Sequence, residues 1–226
     1  MSQKITIALA GNANVGKSVI FNQLTGLHQH VGNWPGKTVE RAEGTLVFEG
    51  NEIDVIDLPG IYSLSTYSIE ELVSREYIAI EQPDVIINVI DASSLERNLA
   101  FTIQLMELEP RMVIALNQID IAEGKGIIVY PEDLSKELGV PVVPTVAVKG
   151  AGLTDLVTAA VNTIKGEKTA PIKYGAEIEE RIEKIMEVNT IDTPYPSRWV
   201  ALKLLEGDEE IERTVYEKQP SLKEAV

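Results

Sequence analysis

The octapeptide GNANVGKS, Gly11 to Ser18, carries the most specific chemistry in the chain. It is preceded by the apolar run ITIALA and followed by the helical VIFNQLTG, so G-x-x-x-x-G-K-[ST] stands in the strand–loop–helix setting it needs. Gly11 and Gly16 let the backbone from Asn12 through Ala13, Asn14 and Val15 fold into a nest of N–H donors around phosphates. The helix N-terminus adds its dipole, Lys17 a mobile positive charge, and Ser18 a hydroxyl oxygen for Mg²⁺.

Two further segments extend that chemistry. In VIDLPGIYS a strand ends at Asp57, and D-x-x-G beside a phosphate loop supplies a carboxylate that holds Mg²⁺ through water, while the N–H of Gly60 can sense a terminal phosphate. The next residue is Ile61, which has nothing to hold an attacking water. In MVIALNQID a strand ends at Asn117 and Asp120. A carboxylate there pairs with guanine N1–H and the exocyclic amine, a donor pair that adenine lacks. Gln118 departs from the commoner N-K-x-D, whose lysine stem covers the base. In PTVAVKG, Thr145, Val146 and Ala147 end the last strand, where a backbone N–H near Ala147 can meet guanine O6; a plain strand end reads equally well.

Placing these residues requires alternating strands and helices. The apolar runs at 5–10, 45–49, 53–58, 84–91, 112–117 and 141–148 read as strands, those from 84 onward apolar enough to be covered on both faces. Gly50-Asn51 between the second and third marks a hairpin. Helices fill 68–82 (opened by the capping box Ser68-x-x-Glu71 and closed by Pro83), 94–108, 132–138 and 153–165. The expected fold is therefore α/β, a mostly parallel six-stranded sheet with one antiparallel edge strand, with ligand at the carboxyl ends of the strands. Residues 1–166 form this domain. After a Gly-, Pro- and Lys-containing linker, residues 167–226 read as a small all-α domain. There Ile178, Ile182 and Ile185, then Trp199, Leu202 and Leu205, then Ile211 and Val215, fall at helical spacing. A further helix start at SLKEAV suggests a piece of something longer.

Composition narrows the partners. A net charge of −15 with no basic stripe weighs against nucleic acid. The absence of cysteine removes disulfides and thiolate metal sites. No cleavable signal pattern and no membrane-length apolar run is present, so this chain is expected to be soluble. His28 and His30 form H-x-H without a third ligand, and GDEEIE (207–212) is the acidic opening of a helix; neither reads as a metal site.

Between the phosphate loop and Asp57 lies HQHVGNWPGKTVERAEG. A threonine in such a loop, here Thr38, ligates Mg²⁺ only when the terminal phosphate is present, which makes the loop a switch. VGNWPGKTVE, with GNANVGKS, DLPGIYSL and the helical tail, resembles the N-terminal cytosolic domain of the ferrous-iron transport protein B family. The sequence departs from that family in Ala13, Gln118 and Lys37. The resemblance implies a P-loop, Ras-like GTPase domain using GTP/GDP and Mg²⁺. It also implies a helical spacer, a linked membrane permease portion moving Fe²⁺ and a place on the cytoplasmic face of the cell membrane; self-association is permitted. It further implies no catalytic glutamine, as Ile61 conforms, and a K⁺ ion beside the phosphates held by the Asn14 side chain and the carbonyls of Gly32 and Trp34. Asn14, Lys17, Thr38, Gly60, Gly32 and Trp34 would then carry catalysis. The alternatives are a nucleotide-dependent binding switch with negligible hydrolysis and a ribosome-associated GTPase.

Overall fold

The structure is a computed structural model and describes residues 4–65, 68–224 and 226. β1 (Ile5–Gly11) runs centrally and feeds the phosphate loop and α1 (Lys17–Thr25). Then come β2 (Gln29–Asn33), β3 (Glu40–Phe48), β4 (Asn51–Asp57), α2 (Ile69–Glu76), β5 (Val85–Asp91), α3 (Leu95–Glu107) and β6 (Met112–Asn117). α4 (Ile119–Gly124), α5 (Pro131–Leu138), β7 (Val142–Pro144) and α6 (Leu153–Thr163) complete the α/β part. The tail supplies α7 (Ala176–Val188), α8 (Ser197–Glu206) and α9 (Glu209–Lys218). The helix start at Ser221 becomes a 3-10 turn, Pro220–Glu224; Ala225 lies outside the described residues.

The sheet order is β2-β3-β4-β1-β5-β6-β7, parallel from β4 to β7 and antiparallel at β2-β3 and β3-β4. This corrects the expected count: seven strands, two of them in the antiparallel margin. β2 escapes a pattern search because its residues are mostly exposed and do not alternate. A turn creates it. Trp34 O accepts from Lys37 N–H at 3.0 Å across Pro35-Gly36, with Gly36 at φ 69°, a type II geometry, and Trp34 N–H donates to Val39 O at 2.9 Å. The second hairpin follows the sequence reading, with Glu49 and Gly50 at φ 49° and 78° between paired Phe48 and Asn51.

The expected helix 68–82 starts at its cap, Glu71 N–H donating to Ser68 Oγ at 3.2 Å, but continues from Tyr77 to Glu81 as a π-helix. It ends at Gln82 (φ 48°), since a residue before proline is steered away from the helical region. β5 and β6 bury nearly every side chain between two apolar layers. One layer, under α1 and α6, holds Leu9, Ile20, Phe21, Leu156 and Val157. The other joins Leu58, Ile61, Val73, Phe101 and Leu105 to Ile182, Ile185, Trp199 and Val215 of the tail. The three tail helices thus share the core beneath α2 and α3. Each such buried aliphatic side chain contributes about 1.5–3 kcal/mol.

Candidate nucleotide site

At the carboxyl ends of β1 and β6 opens a cleft of about 490 Å³. The phosphate loop, Gly60, Asn117, Gln118, Asp120 and Val146–Val148 line it. The loop is held in shape from several sides. Asn14 takes the left-handed region at φ 66° and Gly16 at φ 88°. A Cβ at Gly16 would sit 2.3 Å from Asn117 Nδ2, so no side chain fits there. The D-x-x-G turn lies directly on the loop: Ile61 N–H donates to Gly11 O at 3.3 Å, and a Cβ at Gly60 would come 3.2 Å from Ala13 Cα.

Lys17, buried at 7% exposure, pairs with Asp57 and with the carbonyl of Leu58. Ser18 Oγ donates to Asp57 Oδ2 at 3.3 Å. A hydroxyl and a carboxylate at this separation are hard oxygen donors of the kind Mg²⁺ takes beside phosphates and water, so the pair fits that ion. Ile61 is buried in the core, which explains why this turn offers no polar group to a water. Asn12 is buried too, and its Oδ1 finds no protein partner.

At the base end, Asn117 acts as a strut. Its Nδ2 donates to Val15 O at 2.8 Å, while Oδ1 accepts from Thr145 Oγ1 at 3.2 Å and from Ala147 N–H at 3.0 Å. The sequence reading leaves a backbone N–H near Ala147 for guanine O6 beside a plain strand end; in the fold the N–H of Ala147 itself is taken by Asn117, which Thr145 also serves. Gln118 Nε2 lies 3.4 Å from Asn14 O, bracing the loop from the position where a lysine is commoner. Asp120 accepts from Ile121 N–H at 3.0 Å and pairs with Lys149 Nζ at 2.8 Å. The hydrogen bond from Lys149 holds the Asp120 carboxyl below its ordinary range. Sequence reasoning passed over Lys149, a base two residues beyond Ala147.

The switch residues stand elsewhere. Gly32, Trp34 and Thr38 do not line the cleft. Gly32 pairs with Arg41 in the β2–β3 ladder, the Trp34 carbonyl is engaged by Lys37 in the turn, and Thr38 is exposed. Of the implied K⁺ ligands, only Asn14 is at the cleft, exposed to it. Glu71 has more than its cap: its carboxylate accepts from Ser63 Oγ at 2.9 Å and Ser65 Oγ at 2.6 Å, fastening the chain after D-x-x-G to α2.

Outside the cleft, a groove of about 1000 Å³ between α1 and the β2–β3 hairpin contains His28 and His30. It is larger, yet no phosphate-loop or base-motif residue lines it, so it is not the nucleotide site. No metal-competent acid/histidine cluster occurs among the described residues. The acids of GDEEIE have other work. Asp208 caps α9 through Ile211 N–H at 3.1 Å, and with Glu210 it holds the fully buried Arg75 of α2, whose guanidinium also lies over Tyr195 and Trp199 at 5.5 and 5.4 Å.

A strand–loop–helix phosphate cradle, a magnesium-type Ser/Asp pair and an N-x-x-D base end on one mostly parallel sheet define a P-loop GTPase fold, here with a helical domain packed on it. Residues 5–160 match the family model described as ferrous iron transport protein B, and 174–226 match the FeoB cytosolic helical domain. The chain belongs to the ferrous iron transport protein B family. It is 45% identical over 227 residues to the Fe(2+) transport protein A/Fe(2+) transporter FeoB fusion protein of Porphyromonas gingivalis, covering 96% of this chain and 27% of that one. Among solved structures, a GDP-bound mutant of S. thermophilus NFeoB superposes with a TM-score of 0.88 at 42% identity, covering 98% of this chain and 87% of that one. The T. maritima FeoB cytosolic domain in GMPPNP form gives 0.87 at 36% identity, covering 96% and 86%. The chain spans about a quarter of the length of the curated relatives it matches. Among the described residues, no helix is long and apolar enough to cross a membrane.

Proposed function

We propose that this chain binds GTP and GDP with Mg²⁺ and hydrolyses GTP slowly, with stimulation by K⁺. The observation that carries the reading is that the phosphate loop and Asp120 line one cleft, with Ser18 on its wall bonded to Asp57 behind it and Asn117 tying the loop to the base end. The GDP- and GMPPNP-bound relatives support it. Bound Mg²⁺ would supply charge stabilisation at the terminal phosphates, with Ser18 and Asp57 holding it. Backbone N–H groups of the loop and of Gly60, with Lys17, would stabilise charge on the phosphoryl oxygens. Thr38 would join them on moving to the cleft, bringing the carbonyls of Gly32 and Trp34 toward Asn14.

In the whole protein this domain would regulate passage of Fe²⁺ through a permease portion of the same polypeptide, placing it at the cytoplasmic face of the membrane. The domain boundary is proposed near residue 166. GTP turnover is expected to rise when Na⁺ is replaced by K⁺, and Asn14→Ala to abolish the difference. Equal rates in both salts would remove the potassium assignment. The burial of Ile61 favours a second reading, a binding switch with negligible hydrolysis. Single-turnover hydrolysis slower than GTP release would establish it.

A further inference from the structure

The segment carrying Thr38 is seated on another element. Trp34 is 8% exposed and meets Tyr77 edge-on with ring centroids 5.2 Å apart. Arg41 also lies over the indole, its guanidinium carbon 4.9 Å from the ring centroid. Three residues on, Lys37 Nζ pairs with Glu76 at 2.7 Å. Glu76 and Tyr77 are consecutive and straddle the junction of α2 and the π-helix, so that change in helical pitch presents an acid and a ring side by side. The type II turn at Pro35-Gly36 brings Lys37 back to reach the acid while Trp34 takes the ring. A cavity of about 170 Å³ remains between the two elements, with Glu81 as a second acid on its wall.

We infer that Trp34 and Lys37 form a latch that parks the Thr38 segment on α2 and opposes its movement to the nucleotide. The inference deepens the proposed function and rests on Thr38 being the group that answers the terminal phosphate. Thr38 is flanked by Lys37, bound to Glu76, and by Val39, buried and paired with Trp34. It cannot leave for the cleft while both neighbours are held. The two contacts have different physics. The Trp34–Tyr77 ring contact carries no charge and is insensitive to salt, whereas the Lys37–Glu76 ion pair is partly exposed and screened by it. A lysine at residue 37, one of the positions where the sequence departs from its family resemblance, gives this chain an electrostatic component to the latch.

The full chain has two tryptophans, so 5-fluorotryptophan labelling gives two ¹⁹F resonances, assigned with Trp34→Phe. In nucleotide-free protein, Lys37→Met and Glu76→Gln are expected to move the Trp34 resonance toward its solvent-exposed position and leave that of Trp199 fixed. The double variant should match the single ones, since both remove the same pair. After mixing with GMPPNP and Mg²⁺, the rate of the Trp34 change should rise in both variants, by up to about five-fold for a partly exposed pair. Choline chloride should speed the wild type and leave Lys37→Met unaffected. An unmoved Trp34 resonance in both variants overturns the latch, as does a moved resonance with unchanged rates. If the wild type gives no response to GMPPNP and calorimetry shows no guanine nucleotide binding, the proposed function falls; the nucleotide-free spectra still decide whether the seat exists.

Discussion

Asn117 and Val15 are joined across the cleft: the side-chain amide of one donates to the backbone carbonyl of the other at 2.8 Å, 102 residues apart in sequence. With its oxygen held by Thr145 and Ala147, Asn117 locks the glycine-rich loop after β1 to the strand ends of β6 and β7. The phosphate-loop and base-motif ends of the cleft are thereby joined in one hydrogen-bonded unit. The residue most readily read as a base ligand is the frame of the site.

Asn117→Ala should therefore cost stability as well as affinity. Asn117 is 2% exposed, and its loss leaves the Val15 carbonyl and the Ala147 N–H without their partner. A destabilisation of about 2–3 kcal/mol is expected for buried groups left unsatisfied. Urea denaturation of nucleotide-free protein measures it; a change within error of zero would show that the strut is replaceable.

Asp120→Asn should exchange base preference. An amide presents a donor where, on the proposed function, the carboxylate would accept from guanine, so GDP affinity is expected to fall at least about 100-fold and xanthine nucleotide affinity to rise. The same change releases Lys149, which neutralises Asp120 here. Calorimetry with both diphosphates tests this. Unchanged discrimination would place base reading elsewhere.

Arg75→Ala should loosen the tail from the sheet. The guanidinium is fully buried against Asp208, itself 7% exposed, and Glu210. Removing it strands buried carboxylate charge, at a cost of about 3–5 kcal/mol. Proteolysis within 167–226 is expected to accelerate well before the α/β part is cut. Arg75→Met, which keeps the volume, should recover part of the loss if packing against Tyr195 and Trp199 contributes.

Acid should act on the seam between α3 and the tail in two opposite ways. Arg198 donates to Glu179 at 2.6 and 2.9 Å and holds that carboxyl down to about 2 from 4.5. Its stabilisation is present above pH 4.5 and is lost as pH falls toward about 2. Burial raises the neighbouring Glu107 carboxyl above 4.5, so its contribution is fully present below 4.5 and is lost as pH climbs through the raised value. Glu179→Gln should flatten the acid limb of the stability–pH curve and Glu107→Gln the limb above 4.5. Superimposable curves for wild type and Glu179→Gln would contradict the first assignment.

Residue order reveals some parts of this molecule far better than others. The phosphate loop was legible to the residue, because glycine, lysine and a hydroxyl at fixed spacing perform one job in one local geometry. The parallel core was legible from continuous Val/Ile runs, and Ile182, Ile185, Trp199 and Val215 from helical spacing. β2 was not, since its five residues bury little and its strand state comes from the turn at Pro35-Gly36 and from pairing with β3. The π-helical turn at Tyr77 leaves no periodic trace in so short a segment. Lys149 was missed for a different reason, and Glu71 was legible as a cap beside the D-x-x-G turn while its partners Ser63 and Ser65 were not. Which side chains these carboxylates meet is set by how loops converge in space, which the linear order of residues does not encode.

β2 has a neighbour on one side only, and that neighbour, β3, keeps β4 as a second anchor. Unzipping β2 therefore returns the sheet to the six strands its hydrophobic runs describe, and water can satisfy the freed ladder groups at once. The sheet carries β2 as a detachable selvage: the fabric inward of it need not fray when that margin is pulled away.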